Sequence, residues 1–203
     1  MSRPINRKPE IMVFAGPNGS GKSTVTQLFH LDMDYINADD IKRSNLCSDI
    51  EAAQKAEQMR EEHLSAGKDF CFETVLSTDR NLKLLKRAKE QGYFIKCIYI
   101  ITAIPEINVM RVRSRVGQGG HGVPEDKIIS RHARSLDLIK EVIPVCDICH
   151  IYDNSGDVPF RIFKKRKTEF YFDESEFWNR SDIELLTGIS NMAHKDLNIT
   201  SGS

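Results

Sequence analysis

The chain has 203 residues, with 29 Lys plus Arg balancing 29 Asp plus Glu and an apolar fraction of 40%. That suits a single compact α/β domain, and zero net charge excludes the global basic field that nucleic-acid binders carry. No apolar run approaches the roughly 18 residues of a membrane span, and Met1–Glu10 is too polar for a signal peptide. Five cysteines, an odd number without framework spacing, point to a reducing, cytoplasmic setting.

In chain order, Ile11–Ala15 is a short apolar run that breaks into glycines and predicts a buried strand feeding a loop. Lys22–His30 suits a helix, Tyr35–Asn37 a second strand, and Asp39–Ser44 the opening of another helix. Asp49–Ala66 is rich in helix formers and stops at Gly67. Phe70–Phe72 reads as a third strand and Asp79–Gln91 as a helix. Tyr93–Ile101, β-branched and aromatic, gives the strongest strand signal. A helix begins near Pro105. Another has Pro124 at its first position, and Ile128, His132, Leu136, Ile139 and Ile143 form one buried stripe along it. Asp147–Tyr152 supplies a last core strand, and Arg161–Tyr171 a basic edge hairpin. Strands alternating with helices imply a three-layer α/β/α fold on a mostly parallel, five-stranded sheet. The expected organisation is a core over 1–158, a small C-terminal hairpin and helix over 159–190, and a frayed tail over 191–203.

Gly16-Pro17-Asn18-Gly19-Ser20-Gly21-Lys22-Ser23 follows G-x-x-x-x-G-K-[ST], with strand before and helix after. Glycines let such a loop wrap closely so that backbone N–H groups meet phosphate oxygens. Lys22 then reaches the β- and γ-phosphates and the Ser23 hydroxyl binds magnesium, with Thr24 following in the helix. No N-K-x-D for guanine and no L-S-G-G-Q signature is present, and Tyr93–Ile101 runs into Thr102, not the Asp-Glu of a hydrolytic ATPase. What remains is a P-loop kinase using ATP and Mg²⁺ on a small hydroxyl acceptor. A kinase for a sugar acid or nucleoside, and a nucleotide-gated ATPase or binding protein, stay open as alternatives.

Asn37-Ala38-Asp39-Asp40 follows the second strand, where a carboxylate overhangs the phosphate loop. Asp39 is the candidate base for the attacking hydroxyl; both aspartates would equally suit a helix start. Glu73 and Thr74 close the third strand at the same edge, as ligands for the acceptor or a magnesium-bound water, or as an ordinary strand end. Arg111 and Arg115 share a helix face ahead of the glycine-rich Gly117–Gly122, and Arg131 and Arg134 share a face of the next helix. Between Arg111 and Lys140 seven basic residues face three acidic ones (Glu125, Asp126, Asp137), as in a lid over about 111–135 that neutralises the moving phosphoryl group. Arg113 and Lys140 read as solvated.

Together these blocks resemble the zeta toxin family of P-loop kinases, including its short branch often described as predicted ABC-type ATPases. The resemblance runs from Ile11 to about Asp157, through Ala15–Thr24, Ile36–Ile41, Phe72–Ser77, Arg111–Pro124, Arg131–Leu136 and Tyr152–Ser155. It implies that Asp39 is the base, Glu73 the substrate-binding carboxylate and Arg111 or Arg115 the lid arginine. It also implies UDP-N-acetylglucosamine as acceptor, and an antitoxin protein as partner. One departure is His121 before Val123-Pro124, where the larger toxins carry a second lid arginine; this arrangement is similar to the gluconate kinase lid. Asn154, after the last core strand, is a nucleotide contact by the same likeness or a simple turn signal.

Three weaker signals remain. Cys146-Asp147-Ile148-Cys149 has no second cysteine or histidine pair to complete a zinc site and reads as strand packing. Lys164–Lys167 reads as protection of an exposed edge strand. Phe177 and Trp178 read as the anchor of the C-terminal segment.

Overall fold

The computed structural model describes residues 7–120 and 122–190. Seven strands form one sheet in the order β2-β3-β1-β4-β5-β6-β7. They are β1 (Glu10–Ala15), β2 (Asp34–Ile36), β3 (Phe70–Thr74), β4 (Phe94–Ile101), β5 (Ile148–Asp153), β6 (Phe160–Arg166) and β7 (Glu169–Phe172). The first five are mutually parallel, as expected. The hairpin β6–β7 adds to the same sheet antiparallel, giving seven strands where the sequence predicts five plus an appendage. The reason is pairing: β6 runs in register with β5 through six residues, from Ile148↔Arg166 to Asp153↔Phe160, with one bulge at Ile151/Tyr152.

The helices are α1 (Lys22–Thr26), α2 (Ala38–Asn45), α3 (Asp49–Ser65), α4 (Asp79–Glu90), α5 (Pro105–Gly117), α6 (Glu125–Asp137), α7 (Ile139–Val145) and α8 (Arg180–Thr187). β1 divides the core by alternation. Ile11, Val13 and Ala15 face a large cluster built with α3, α4, α7 and α8. Met12 and Phe14 face a smaller one closed by Val25 of α1 together with Leu31, Met33 and Tyr35. The two covering layers are therefore unequal, and the thin one lies beside the phosphate loop.

Three helix expectations are corrected. α1 is shorter than Lys22–His30 because Thr26 Oγ1 donates back to Lys22 O at 3.0 Å, and Leu28 N and Phe29 N then bond three residues back, tightening the turn. Pro124 is the N-cap of α6, one position before its first turn. The expected single stripe breaks at Leu138 into α6 and α7, although Ile128, His132, Ile139 and Ile143 are all buried.

Lys165 is also not an edge guard. It lies inside the sheet on β6, buried, and its ammonium donates to Ile143 O at 2.7 Å and Pro144 O at 3.3 Å in the last turn of α7. Lys164 instead lies 5.0 Å from the Tyr171 ring centre. Trp178 is buried and anchors α8, whereas Phe177 stays 44% exposed and does not share that role. Cys71, Cys97, Cys146 and Cys149 are all buried and unpaired by disulfide, and Cys97 and Cys149 face each other across β4 and β5. Among the described residues no group of three or more His, Cys, Asp or Glu side chains is arranged to hold a metal.

Candidate active site

The phosphate loop leaves β1 at Gly16, whose amide donates to Thr74 O at 3.2 Å. Gly19 has φ +79° and a Cβ there would lie 2.6 Å from Asn108 O; Gly21 has φ +94° and a Cβ would lie 2.4 Å from Asn154 Nδ2. Both positions need glycine for conformation and for space. The loop is braced from outside: Asn108 Nδ2 donates to Asn18 O at 2.6 Å, and Asn154 Nδ2 to Ser20 O at 2.8 Å. Arg131 Nη1 donates to Asn18 Oδ1 at 3.3 Å. Asn108 is itself buried and held by the Thr102 hydroxyl, next to which His132 Nε2 lies 3.0 Å from Thr102 O. His132 is thus a core residue; burial lowers its pKa.

A triphosphate fits this cradle. Gly21 caps α1 with no side chain, so no side chain of the cap competes for the first-turn amides, and Ser20 Oγ is buried without a hydrogen-bond partner. Lys22 Nζ donates to Pro17 O at 3.0 Å, a neutral acceptor easily exchanged for phosphate oxygen. Burial lowers the Lys22 pKa to about 8, against the opposing pull of the Glu73 and Asp39 carboxylates; Arg115 lowers it further. Those influences identify the charges around the ammonium: Glu73, Asp39 and Arg115.

Two chambers flank this group, of about 440 Å³ on the side of Lys22, Thr74 and Arg131 and about 670 Å³ on the side of Tyr35 and Arg43. Ser23, Asn37, Asp39, Glu73 and Arg115 line both. β3 carries Glu73 to this wall directly beside β1, opposite Phe14 in register. α2 carries Asp39, its start fixed by Asn37, whose Oδ1 accepts from Asp39 N at 2.9 Å. Ser23 Oγ donates to Glu73 Oε2 at 3.0 Å, a pair of oxygen donors of the kind magnesium uses.

Other expected site residues have structural contacts of their own or lie away from the chambers. Asn154 braces Ser20, as above. Arg111 donates to Gly156 O at 3.5 Å and has a second nitrogen, Nη1, buried without a partner. Arg134 turns back onto its own helix at Ser130 and lines neither chamber. Thr74 Oγ1 accepts from Asn81 Nδ2 at 2.8 Å and from Leu76 N at 3.0 Å, so it also organises the turn after β3. Thr24 is exposed on α1, and His121 lies outside the described residues. Arg113 pairs with exposed Glu125, as a solvated residue should. Sequence reasoning missed Asn108 and Tyr35. No local pattern marks Asn108; for Tyr35 the signal was its place on β2, two residues before Asn37, whose extended backbone keeps the two side chains on one face.

Comparison with known proteins agrees with this architecture. An uncharacterized protein of Haemophilus influenzae (strain ATCC 51907 / DSM 11121 / KW20 / Rd) is 31% identical over 125 residues, 59% of this chain and 89% of that protein. A structure from the PezAT chromosomal toxin–antitoxin system of Streptococcus pneumoniae superposes with a TM-score of 0.56 at 18% identity, covering 89% of this chain and 84% of that one. The AvrRxo1-ORF1:-ORF2 complex with ATP gives a TM-score of 0.69 at 16% identity, over 92% of this chain and 66% of that longer one. At these identities the two structures establish the shared fold. The zeta toxin family itself matches residues 2–168, nearly the whole chain, phosphate loop and both chambers included, and the chain belongs to the zeta toxin family.

Proposed function

We propose that the chain is a phosphotransferase that moves the γ-phosphate of ATP to a hydroxyl of a small molecule. The observation that carries this reading is the shared wall of the two chambers, where Ser23, Asp39, Glu73 and Arg115 meet beside Lys22. Glycine-loop amides and Lys22 bind the phosphates. Asp39 orients the attacking hydroxyl and takes its proton. Arg115, on the last turns of α5, offsets charge on the transferring group, and Arg131 adds a cation from α6. Ser23, with Glu73, would hold Mg²⁺, which when bound neutralises charge across the phosphate oxygens.

Membership of the zeta toxin family makes a UDP-N-acetylglucosamine-type sugar nucleotide the first acceptor to test, ahead of sugar acids and nucleosides. The likeness to a toxin–antitoxin structure supports an antitoxin-like protein partner, and the cysteine usage supports a cytoplasmic setting. Among the described residues no helix is long and apolar enough to cross a membrane.

The test is Asp39→Asn, assayed with ATP, Mg²⁺ and either UDP-N-acetylglucosamine or a metabolite extract read by mass spectrometry. Transfer should fall by about 10²–10⁴-fold, the contribution of a positioned base. Affinity for a non-hydrolysable ATP analogue should stay within about threefold, since Asp39 is not part of the phosphate loop. Full transfer by that variant removes Asp39 from the role.

A further inference from the structure

α2 carries the acceptor-side carboxylate, yet it buries none of its residues completely. Partly buried Ala38 and Ile41 pack against the large cluster, and a polar chain holds the first turn beside them. Ser23 Oγ donates to Glu73 Oε2 at 3.0 Å, and Tyr35 OH donates to Glu73 Oε1 at 2.6 Å. Asn37 Nδ2 donates to Tyr35 OH at 2.8 Å, and Asn37 Oδ1 accepts from Asp39 N at 2.9 Å. The chain crosses from α1 through β3 and β2 to the first turn of α2 without a break.

Tyr35 is the joint in this chain. Its single hydroxyl hydrogen goes to Glu73, and its oxygen takes the Asn37 N–H, so one atom serves both halves. The ring packs on the smaller apolar cluster beneath the site, which fixes where the hydroxyl can reach. The bond to Glu73 has a charged acceptor and is short, the stronger class of hydrogen bond. Because the Ser23 hydroxyl hydrogen points at Glu73, the lone pairs of Ser23 Oγ are left for a cation.

We propose that Tyr35 is a positioning residue that ties Asp39 to the metal-binding serine, so that holding a cation at Ser23 also fixes the acceptor-side carboxylate. This rests on the phosphotransfer reading for its purpose, but not for its test. Tyr35→Phe removes one oxygen and both bonds while keeping the ring in the apolar cluster.

In the full-length protein, amide hydrogen exchange of Ala38–Asn45 should rise about tenfold in Tyr35→Phe, the scale of one or two lost hydrogen bonds, while β1 and β4 stay protected. The Mg²⁺ concentration that half-saturates the tightening of AMP-PNP binding, measured by calorimetry, should rise about tenfold, with metal-free AMP-PNP affinity unchanged. In a Glu73→Gln background, Tyr35→Phe should then shift the Mg²⁺ midpoint no further. Unchanged exchange over α2 overturns the tether. So does faster exchange throughout the sheet, which would make Tyr35 a general packing residue. Faster α2 exchange with an unmoved Mg²⁺ midpoint overturns the tie to Ser23. Absence of AMP-PNP binding in the unmodified protein would instead defeat the phosphotransfer reading, and the exchange experiment would still decide whether Tyr35 holds α2.

Discussion

At the residue scale the proposed chemistry turns on Lys22. Its ammonium sits in a half-buried position where burial brings the pKa from 10.5 down to about 8. Only the charged form attracts phosphate, so below pH 8 the free protein is ready to bind and above it loses that charge. The rate at limiting ATP should therefore fall as pH rises through about 8, a limb belonging to the free enzyme. Saturating ATP should push the limb upward, because bound phosphates favour the ammonium. Lys22→Arg, which keeps its charge at any accessible pH, should lack the limb even if its activity is low. A pH profile that stays flat from 7 to 9.5 in the unmodified protein would contradict this placement. The loop that carries Lys22, Ser23 and the glycines was legible from sequence because it lies within a few consecutive residues. Tyr35 and Glu73 are 38 positions apart and meet only because β2 pairs with β3, a contact that no local pattern encodes.

At the element scale the phosphate loop depends on neighbours from distant segments. α5 supplies Asn108, α6 supplies Arg131 and the turn after β5 supplies Asn154, each bonded to the loop's backbone or to Asn18. Asn108→Leu keeps similar volume but leaves Asn18 O without its donor. ATP-analogue affinity should fall about tenfold, the equivalent of one hydrogen bond to a group that must stay ordered. Gly19→Ala should do more harm, since the new methyl would meet Asn108 backbone at 2.6 Å with φ already at +79°. Both are readable by calorimetry beside a melting curve. The same geometry gives Asn154, expected from sequence as a nucleotide contact or a turn signal, a bracing contact: it follows β5 and donates to Ser20 O, so it supports the cradle. The two arginines of α5 expected to serve a lid divide in a similar way. Arg111 and Arg115 share a helical face, yet one turn of separation takes Arg111 to Gly156 while Arg115 borders both chambers.

At the scale of the whole molecule the sheet is longer than its alternating βα pattern announces. Five parallel strands follow from strands and helices taken in turn, whereas the last two are added by antiparallel pairing that depends on β5 having an open edge. Lys165 ties this addition to the core by capping the carbonyl end of α7. Lys165→Met should cost about 2 kcal/mol by leaving those carbonyls unpaired, lowering Tm by roughly 4–8 °C for a domain of this size. Catalytic constants should be unaffected, because β6 lies on the far side of β5 from the loop. A melting curve unchanged by the substitution would show that the carbonyls find water instead.

Four of the five cysteine thiols lie within this sheet and its covering layer, at 0–1% exposure, and burial pushes the Cys71 thiol up to about 12. Only Cys47, beyond the end of α2, meets solvent in the folded chain. An alkylating reagent should accordingly take one equivalent at once and the rest only as the strands separate. The protein thus carries its own stopwatch: the slow phase of modification times how often the native assembly comes apart, with no label introduced and no substrate required.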